Sequence, residues 1–239
     1  ATQTEVEEQV DLMYSLIHQQ VDAIVLVPID SKALVQPVVE AVRKGVPVIN
    51  IDIRLDTQLL EQAGVEVAFV GPDNFAAAYE VGKLLDKKLR NEDKVAIIEG
   101  LTAADNAQQR KRGFIKAIEE KGLRLVASEP ADWETEKAAE VFQAMWMRYP
   151  DLKAVYCSND AMALGVLQQM QEKNCYLPVV GFDNDAVMKE FLSTGKLVAT
   201  ADIFSSQMAV RGIEFALDVL EGKIENRGVH STAYEIIKQ

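Results

Sequence analysis

Residues 151–185, DLKAVYCSNDAMALGVLQQMQEKNCYLPVVGFDND, hold two successive units of one kind. Each is a short apolar strand, a polar strand end, then a helix. Ala154-Val155-Tyr156-Cys157 ends in Ser158-Asn159-Asp160, and Val179-Val180-Gly181-Phe182 ends in Asp183-Asn184-Asp185. An apolar run with little alternation suits a strand covered on both faces, as in a parallel sheet. The Asp and Asn residues after each strand can cap the following helix by accepting from its free backbone N–H groups. In open α/β sheets, ligands lie outside the carboxyl ends of the strands. Asn159 and Asp183 therefore stand at two neighbouring strand ends, where a ligand would be read.

The same rhythm extends in both directions. Upstream, Val6, Val10, Met13 and Ile17 line one face of a predicted helix over 4–19. A strand over 23–27, a helix over 31–44 stopped by Gly45, and a strand over 46–51 follow. That strand ends in Asp52-Ile53-Arg54. Next come a short helix (57–63), a strand (67–70), a helix (75–89), a strand (94–98), a helix (106–121) and a strand (124–127). Asp132-Trp133 sits in the loop before a helix over 134–149. Downstream lie a helix (185–194), a strand (198–201), a helix (205–220) and an extended piece (229–237). Strands alternating with helices at this spacing mean βαβ units and parallel sheets.

The chain has 239 residues, which suits two domains of roughly 100–130 residues each. A net charge of −12 argues against nucleic-acid binding, which rests on basic patches. No apolar run approaches the ~18–20 residues of a membrane span. Cys157 and Cys175 fall at opposite ends of the sheet, beyond the ~4.4–6.8 Å Cα separation of a disulfide, so two free thiols are predicted. There is no CxxC pair or cysteine–histidine cluster for a metal.

Nor is there a GxSxG elbow, a GxxxxGK[ST] phosphate loop or a GxGxxG fingerprint, and nothing proposes an enzyme. Neither His18 nor His230 lies at a predicted strand end. The candidate groups are Asp52, Arg110, Trp133, Asn159 and Asp183. Carboxylates, amides and guanidinium groups pair with vicinal hydroxyls, and an aromatic face covers the C–H side of a sugar. Each has a plainer reading. Asp183 and Asp160 could be helix caps, Trp133 could be core, and Arg110 sits among Gln108, Gln109, Lys111 and Arg112 like a residue on a solvated face.

Seven motifs bear on the choice: VDAIVLVPIDSKALVQPVVEAVRKGVPVINID (21–52), FVGPDN (69–74), QRKRGFIKAI (109–118), SEPADWETEKA (128–138), PDLKAVYCSNDAMALGVL (150–167), VVGFDN (179–184) and GKLVATADIFSSQMAVRGIEFALDVLEGK (195–223). In this order the chain resembles the ribose-binding-protein-type periplasmic binding proteins, the sugar receptors of ABC importers. The resemblance covers nearly the whole chain. It implies the periplasmic binding protein type I fold: two Rossmann-like lobes of flavodoxin-like order, 1–71 plus 204–232 and 72–203 plus 233–239. It further implies a sugar, amino sugar or polyol clamped by hinge closure, importer membrane subunits as partners, no cofactor, and a protein that is monomeric if complete and works in the periplasm or, in a Gram-positive source, lipid-anchored outside the cell. By motif, Asp52 resembles the family's strand-end carboxylate and Arg110 its hydroxyl-clamping arginine. Trp133 matches the stacking aromatic, and Asn159 and Asp183 match a second-lobe amide and carboxylate. Asn106 is a further candidate one helical turn before Arg110.

Some positions depart from the family's ribose binders. Val27 stands where they carry asparagine, Ile53 where they carry arginine, and Ile203, after Asp202, where they carry glutamine. Arg54 or Asp202 would have to take over, although a shift of one residue along a strand turns a side chain to the other face. Truncating Arg110 to alanine is expected to weaken binding while leaving the unliganded protein nearly as stable. The resemblance also implies a strand–helix–strand of roughly 35–50 residues ahead of the first residue. Without it the AIVLV segment at 23–27 is expected to be an exposed apolar edge. Two other roles share the fold, the effector core of a lac-repressor-like regulator and the sensor domain of a membrane receptor.

Overall fold

A computed structural model describes residues 5–238; Thr4, predicted to open the first helix, lies outside them. In chain order the elements begin with α1 (Val6–His18), β1 (Ile24–Leu26), α2 (Val35–Arg43), β2 (Val48–Ile51), α3 (Thr57–Gln62) and β3 (Phe69–Pro72). There follow α4 (Asn74–Gly82), β4 (Lys94–Glu99), α5 (Asp105–Lys121), β5 (Arg124–Pro130), α6 (Thr135–Arg148), β6 (Ala154–Cys157) and α7 (Asp160–Glu172). The last are β7 (Val179–Val180), α8 (Met188–Ser193), β8 (Leu197–Asp202), α9 (Ser205–Leu220), β9 (Val229–Thr232) and β10 (Glu235–Lys238).

The chain divides into two compact units. One comprises the chain up to Pro72 with Ala103–Asn106 and Phe204–Ala233; the other comprises Asp73–Thr102, Ala107–Ile203 and the chain from Tyr234 on. The first unit is a parallel sheet of order β1-β2-β3-β9. On one side Met13, Ile17, Leu34, Val38 and Val48 form its main core, and on the other Ile49, Ile51 and Val70 pack against Ala216 of α9. Apolar residues at helical spacing in α1 and α9 produce these stripes. β1 is the edge strand, with Val25 and Val27 exposed, and α9 turns Val210, Ile213 and Leu217 to the surface.

One buried amide shapes the end of β2. Asn50 sits in an otherwise apolar strand, where its Nδ2 donates to the carbonyls of Leu26 and Ile53 at 3.3 and 2.8 Å. Its Oδ1 accepts from the Leu55 N–H at 2.9 Å. The side chain thus satisfies a turn that would otherwise leave backbone groups unpaired. That turn begins at Asp52, whose φ of 63° puts it in the left-handed region.

In the second unit the sheet order is β10-β8-β7-β6-β4-β5. The strands β4 to β8 are parallel and follow the flavodoxin-like order 2-1-3-4-5. β10 departs from this pattern, pairing antiparallel with β8. The single extended piece read over 229–237 is therefore two strands, each in a different sheet. The helix predicted over 75–89 winds as α4 and then as a 3-10 helix over Lys83–Lys88. Leu85 and Leu89 stay buried there while Lys83, Lys87 and Lys88 face water. Cys157, a free thiol, is buried in β6, and burial holds it well above its ordinary pKa.

Replacing Asn50 by alanine leaves one buried N–H and two carbonyls without their partner. Each unpaired buried group costs about 1–3 kcal/mol, partly offset where water enters, so a loss of about 2–4 kcal/mol is expected. Urea denaturation measures it through the midpoint, with the slope unchanged.

Candidate functional site

In the second unit, the strand ends of β5, β4, β6 and β7 lie side by side, and α5 carries Arg110 to them. Its guanidinium is 3% exposed. Nε donates to Asn74 Oδ1 at 2.9 Å, and Nη1 donates to the Ser158 carbonyl at 2.8 Å. Nη1 also faces Asp183 Oδ1 at 3.4 Å. The Phe182 ring centroid lies 3.7 Å from Cζ and that of Trp133 at 5.5 Å. Stacking on aromatic faces suits this delocalised, weakly hydrated cation. Three of its five N–H groups are engaged in these contacts; the two on Nη2 have no partner among the described residues. The Nδ2 groups of Asn74 and Asn159 likewise donate to no described residue, although both side chains are buried. Donors fixed in place and left unpaired are the means by which a protein reads ligand oxygens.

Strained backbone presents these groups. Asp132 and Trp133 have φ of 51° and 70°, and Asp183 and Asn184 have 111° and 59°. Non-glycine residues there cost about 1–3 kcal/mol each and persist only where the surroundings fix them. Lys137 pairs with Asp132, the contact that does most to raise the lysine pKa. A Cβ on Gly100 would sit 2.0 Å from the Trp133 indole, so only glycine at the end of β4 admits that ring.

Helix capping, one reading of Asp183 and Asp160, falls elsewhere. Asn159 caps α7, its Oδ1 accepting from the Met162 N–H at 2.9 Å. α8 begins only at Met188, and the Asp183 N–H goes to the Ala201 carbonyl at 2.7 Å. Asp160 is fully buried and accepts from Thr200 Oγ1 and the Asp185 N–H. Desolvation raises its pKa to about 7, with the charges of Asp183 and Asp185 adding to the rise and the two hydrogen bonds opposing it. Asp202, at the end of β8, accepts from Asn184 Nδ2 at 2.9 Å.

The structure thus brings Arg110, Trp133 and Asp183 together, with Asn159 one residue beyond the Ser158 carbonyl that Arg110 holds. Asp52, Arg54 and Asn106 belong to the first unit. Arg54 stacks over Phe69 at 5.6 Å and borders a cavity of about 420 Å³ with Thr57, Glu61 and Val229. Asn106 is buried, and its Oδ1 has no hydrogen-bond partner among the described residues. Asn74 and Phe182 were not picked out in the sequence as ligand residues. Asn74 follows Pro72-Asp73 as a further polar strand-end residue, whereas Phe182 reads only as the last apolar position of a strand. Among the described residues no group of three His, Cys, Asp or Glu side chains is placed to hold a metal, and no helix is long and apolar enough to cross a membrane.

Two Rossmann-like sheets with polar strand ends define a binding-protein architecture, and the comparisons agree. Residues 1–224 match the family model described as a periplasmic binding protein domain. The D-ribose/D-allose-binding protein of Pseudomonas aeruginosa is 41% identical over 98% of this chain and 75% of its own. The D-allose-binding periplasmic protein of Escherichia coli is 33% identical over 89% of this chain and 70% of its own. An ABC transporter solute-binding protein from Burkholderia multivorans superposes with a TM-score of 0.94 at 40% identity, covering 99% of this chain and 84% of that one. One from Actinobacillus succinogenes, with D-allose bound, gives 0.90 at 32%, covering 98% and 84%. The chain belongs to the periplasmic binding protein domain family.

The geometry revises the expectation for Arg110. Truncation to alanine strands Asn74 Oδ1 and the Ser158 carbonyl as well as removing a ligand donor. It should therefore destabilise the unliganded protein by about 1–3 kcal/mol, read by urea denaturation. Asp160 makes a separate prediction, with unfolding followed from pH 4 to 8. Its carboxyl binds a proton more tightly folded than unfolded, so its contribution to stability falls as pH rises from about 4 to about 7. Asp160→Asn should remove that part of the slope.

Proposed function

We propose that this protein is a sugar receptor of an ABC importer, working in the periplasm without catalysing a reaction and delivering its ligand to membrane subunits. The observation that carries the reading is the buried Arg110. It is stacked on Phe182, fixed by Asn74 and Ser158, and has Nη2 unpaired among the described residues. In this reading Nη2 and the Asn159 amide donate to ring hydroxyl oxygens, Asp183 accepts from hydroxyls, and Trp133 covers the C–H face. The kinship with proteins named for ribose and allose supports a neutral aldose as ligand, and D-allose before D-ribose. Val27, Ile53 and Ile203 support that order, because they stand where the family's ribose binders carry polar groups.

Titration calorimetry and thermal shift against D-allose, D-ribose, other monosaccharides, amino sugars and polyols test the proposal. A ligand at a hundredfold excess over Kd should stabilise the protein by about 2.7 kcal/mol. Arg110→Ala should weaken that binding by about 2–5 kcal/mol. Absence of binding across the panel by folded protein overturns the reading.

A further inference from the structure

Behind Asp183 lies a side chain that no ligand can reach. Asp160 is the first residue of α7, wholly buried, and its N–H donates to the Phe182 carbonyl at 2.7 Å. Its Oδ2 accepts from the Asp185 N–H at 2.9 Å. Thr200 Oγ1, itself buried in β8, donates to the carboxylate at 2.9 and 3.0 Å and accepts from the Asn184 N–H at 3.2 Å. The three consecutive N–H groups of the turn after β7 are thereby all engaged: 183 by the Ala201 carbonyl, 184 by Thr200, and 185 by Asp160. Two of the three rest on one carboxylate, directly or through a hydroxyl.

Room is made for that carboxylate. A Cβ on Gly181 would lie 2.0 Å from Asp160 Oδ1, so the strand leading to the turn carries hydrogen where the oxygen passes. What the bonds oppose is strain, since Asp183 and Asn184 are held at φ of 111° and 59°. Released from its N–H partners, the turn would relax toward negative φ and carry the Asp183 carboxylate away from Arg110 Nη1.

We propose that Asp160, acting through Thr200, is the positioning residue of the ligand site: it holds the strained 183–185 turn so that Asp183 is aimed at Arg110 and at ligand. This rests on the sugar-binding reading for its effect on affinity, and not for its effect on the turn. An alternative is that Asp160 serves only the stability of α7. That role would lower the unfolding midpoint without touching affinity or the local exchange of the turn. Asp183 and Asp185 are the charged groups facing Asp160, so the turn also carries like charges that only tight bonding keeps in place.

The test uses the full chain and four proteins: wild type, Asp160→Ala, Asp160→Asn and Thr200→Val. Hydrogen exchange is followed without sugar, and D-allose and D-ribose are the probes for affinity. Asp160→Ala should speed exchange of the 184 and 185 amides at least tenfold while amides of β4 and β6 keep their protection. Its sugar Kd should rise at least tenfold. Asp160→Asn keeps an acceptor for the 185 amide and should restore Kd to within about threefold of wild type. Thr200→Val should free the 184 amide alone and raise Kd about fivefold. If Asp160→Ala does not fold, the other two variants decide. Unchanged exchange and Kd in Thr200→Val, or in a folded Asp160→Ala, overturn the proposal. If wild type binds neither sugar, the sugar assignment has failed, and the exchange rates of the 184 and 185 amides alone decide whether Asp160 holds the turn.

Discussion

A guanidinium taken out of water must have its charge and its N–H groups answered, and the second unit is arranged around that requirement. Leaving Arg110 buried with no partners would cost several kcal/mol, a large share of the ~5–15 kcal/mol that holds a domain folded. The answers come from four places in the chain: Asn74 heading α4, the Ser158 carbonyl ending β6, Asp183 after β7, and the rings of Phe182 and Trp133. Ser158, Phe182-Asp183 and Trp133 stand just beyond the carboxyl ends of β6, β7 and β5, which one parallel sheet brings side by side, and Asn74 comes to them on α4. The two N–H groups on Nη2 are left without a partner among the described residues.

The strain at the strand ends follows from the same demand. Left-handed residues at 132–133 and 183–184 turn the chain sharply, and each turn is held from behind. Lys137 secures the first through Asp132, while Thr200 and Asp160 secure the second. Glycine recurs where a group must pass close to backbone, at Gly100 under the indole and at Gly181 beside the Asp160 oxygen. Binding groups, turns and supporting bonds form one set of mutual constraints.

Much of this was legible in the sequence. Apolar runs ending in SND and FDN marked the strands and the face that carries the polar groups. The kind of residue at those ends left hydroxyl recognition as one reading beside plainer ones. Pattern alone misread Arg110, because α5 is polar around much of its circumference and nothing in its periodicity says that one cation turns inward. It also left helix capping open for Asp183 and Asp160, since a carboxylate before a helix ordinarily caps it. Here a tertiary competitor wins: the N–H groups of 183–185 are drawn to β8 and α7, and α8 starts late. The two-strand ending was hidden for a similar reason. Residues 229–237 show no breaker, and only pairing with β3 and then β8 separates them.

Charge narrows what such a site can accept. The chain carries −12 overall, and Asp160, Asp183, Asp185 and Asp202 cluster about one turn with Arg110 as the cation in contact. Burial does most to raise the Asp160 pKa, and the charges of Asp183 and Asp185 add to it. A phosphorylated sugar would add at least one negative charge to this cluster in a poorly hydrated setting, where like charges repel strongly. A neutral polyhydroxylated ring adds none. Its hydroxyls can donate to Asp183 and accept from Arg110 Nη2 and the Asn159 amide, using both signs of hydrogen-bonding capacity without net charge. Mixed donors and acceptors among carboxylates suit a neutral polyhydroxylated ring, whereas a phosphate would meet like charges at the same turn.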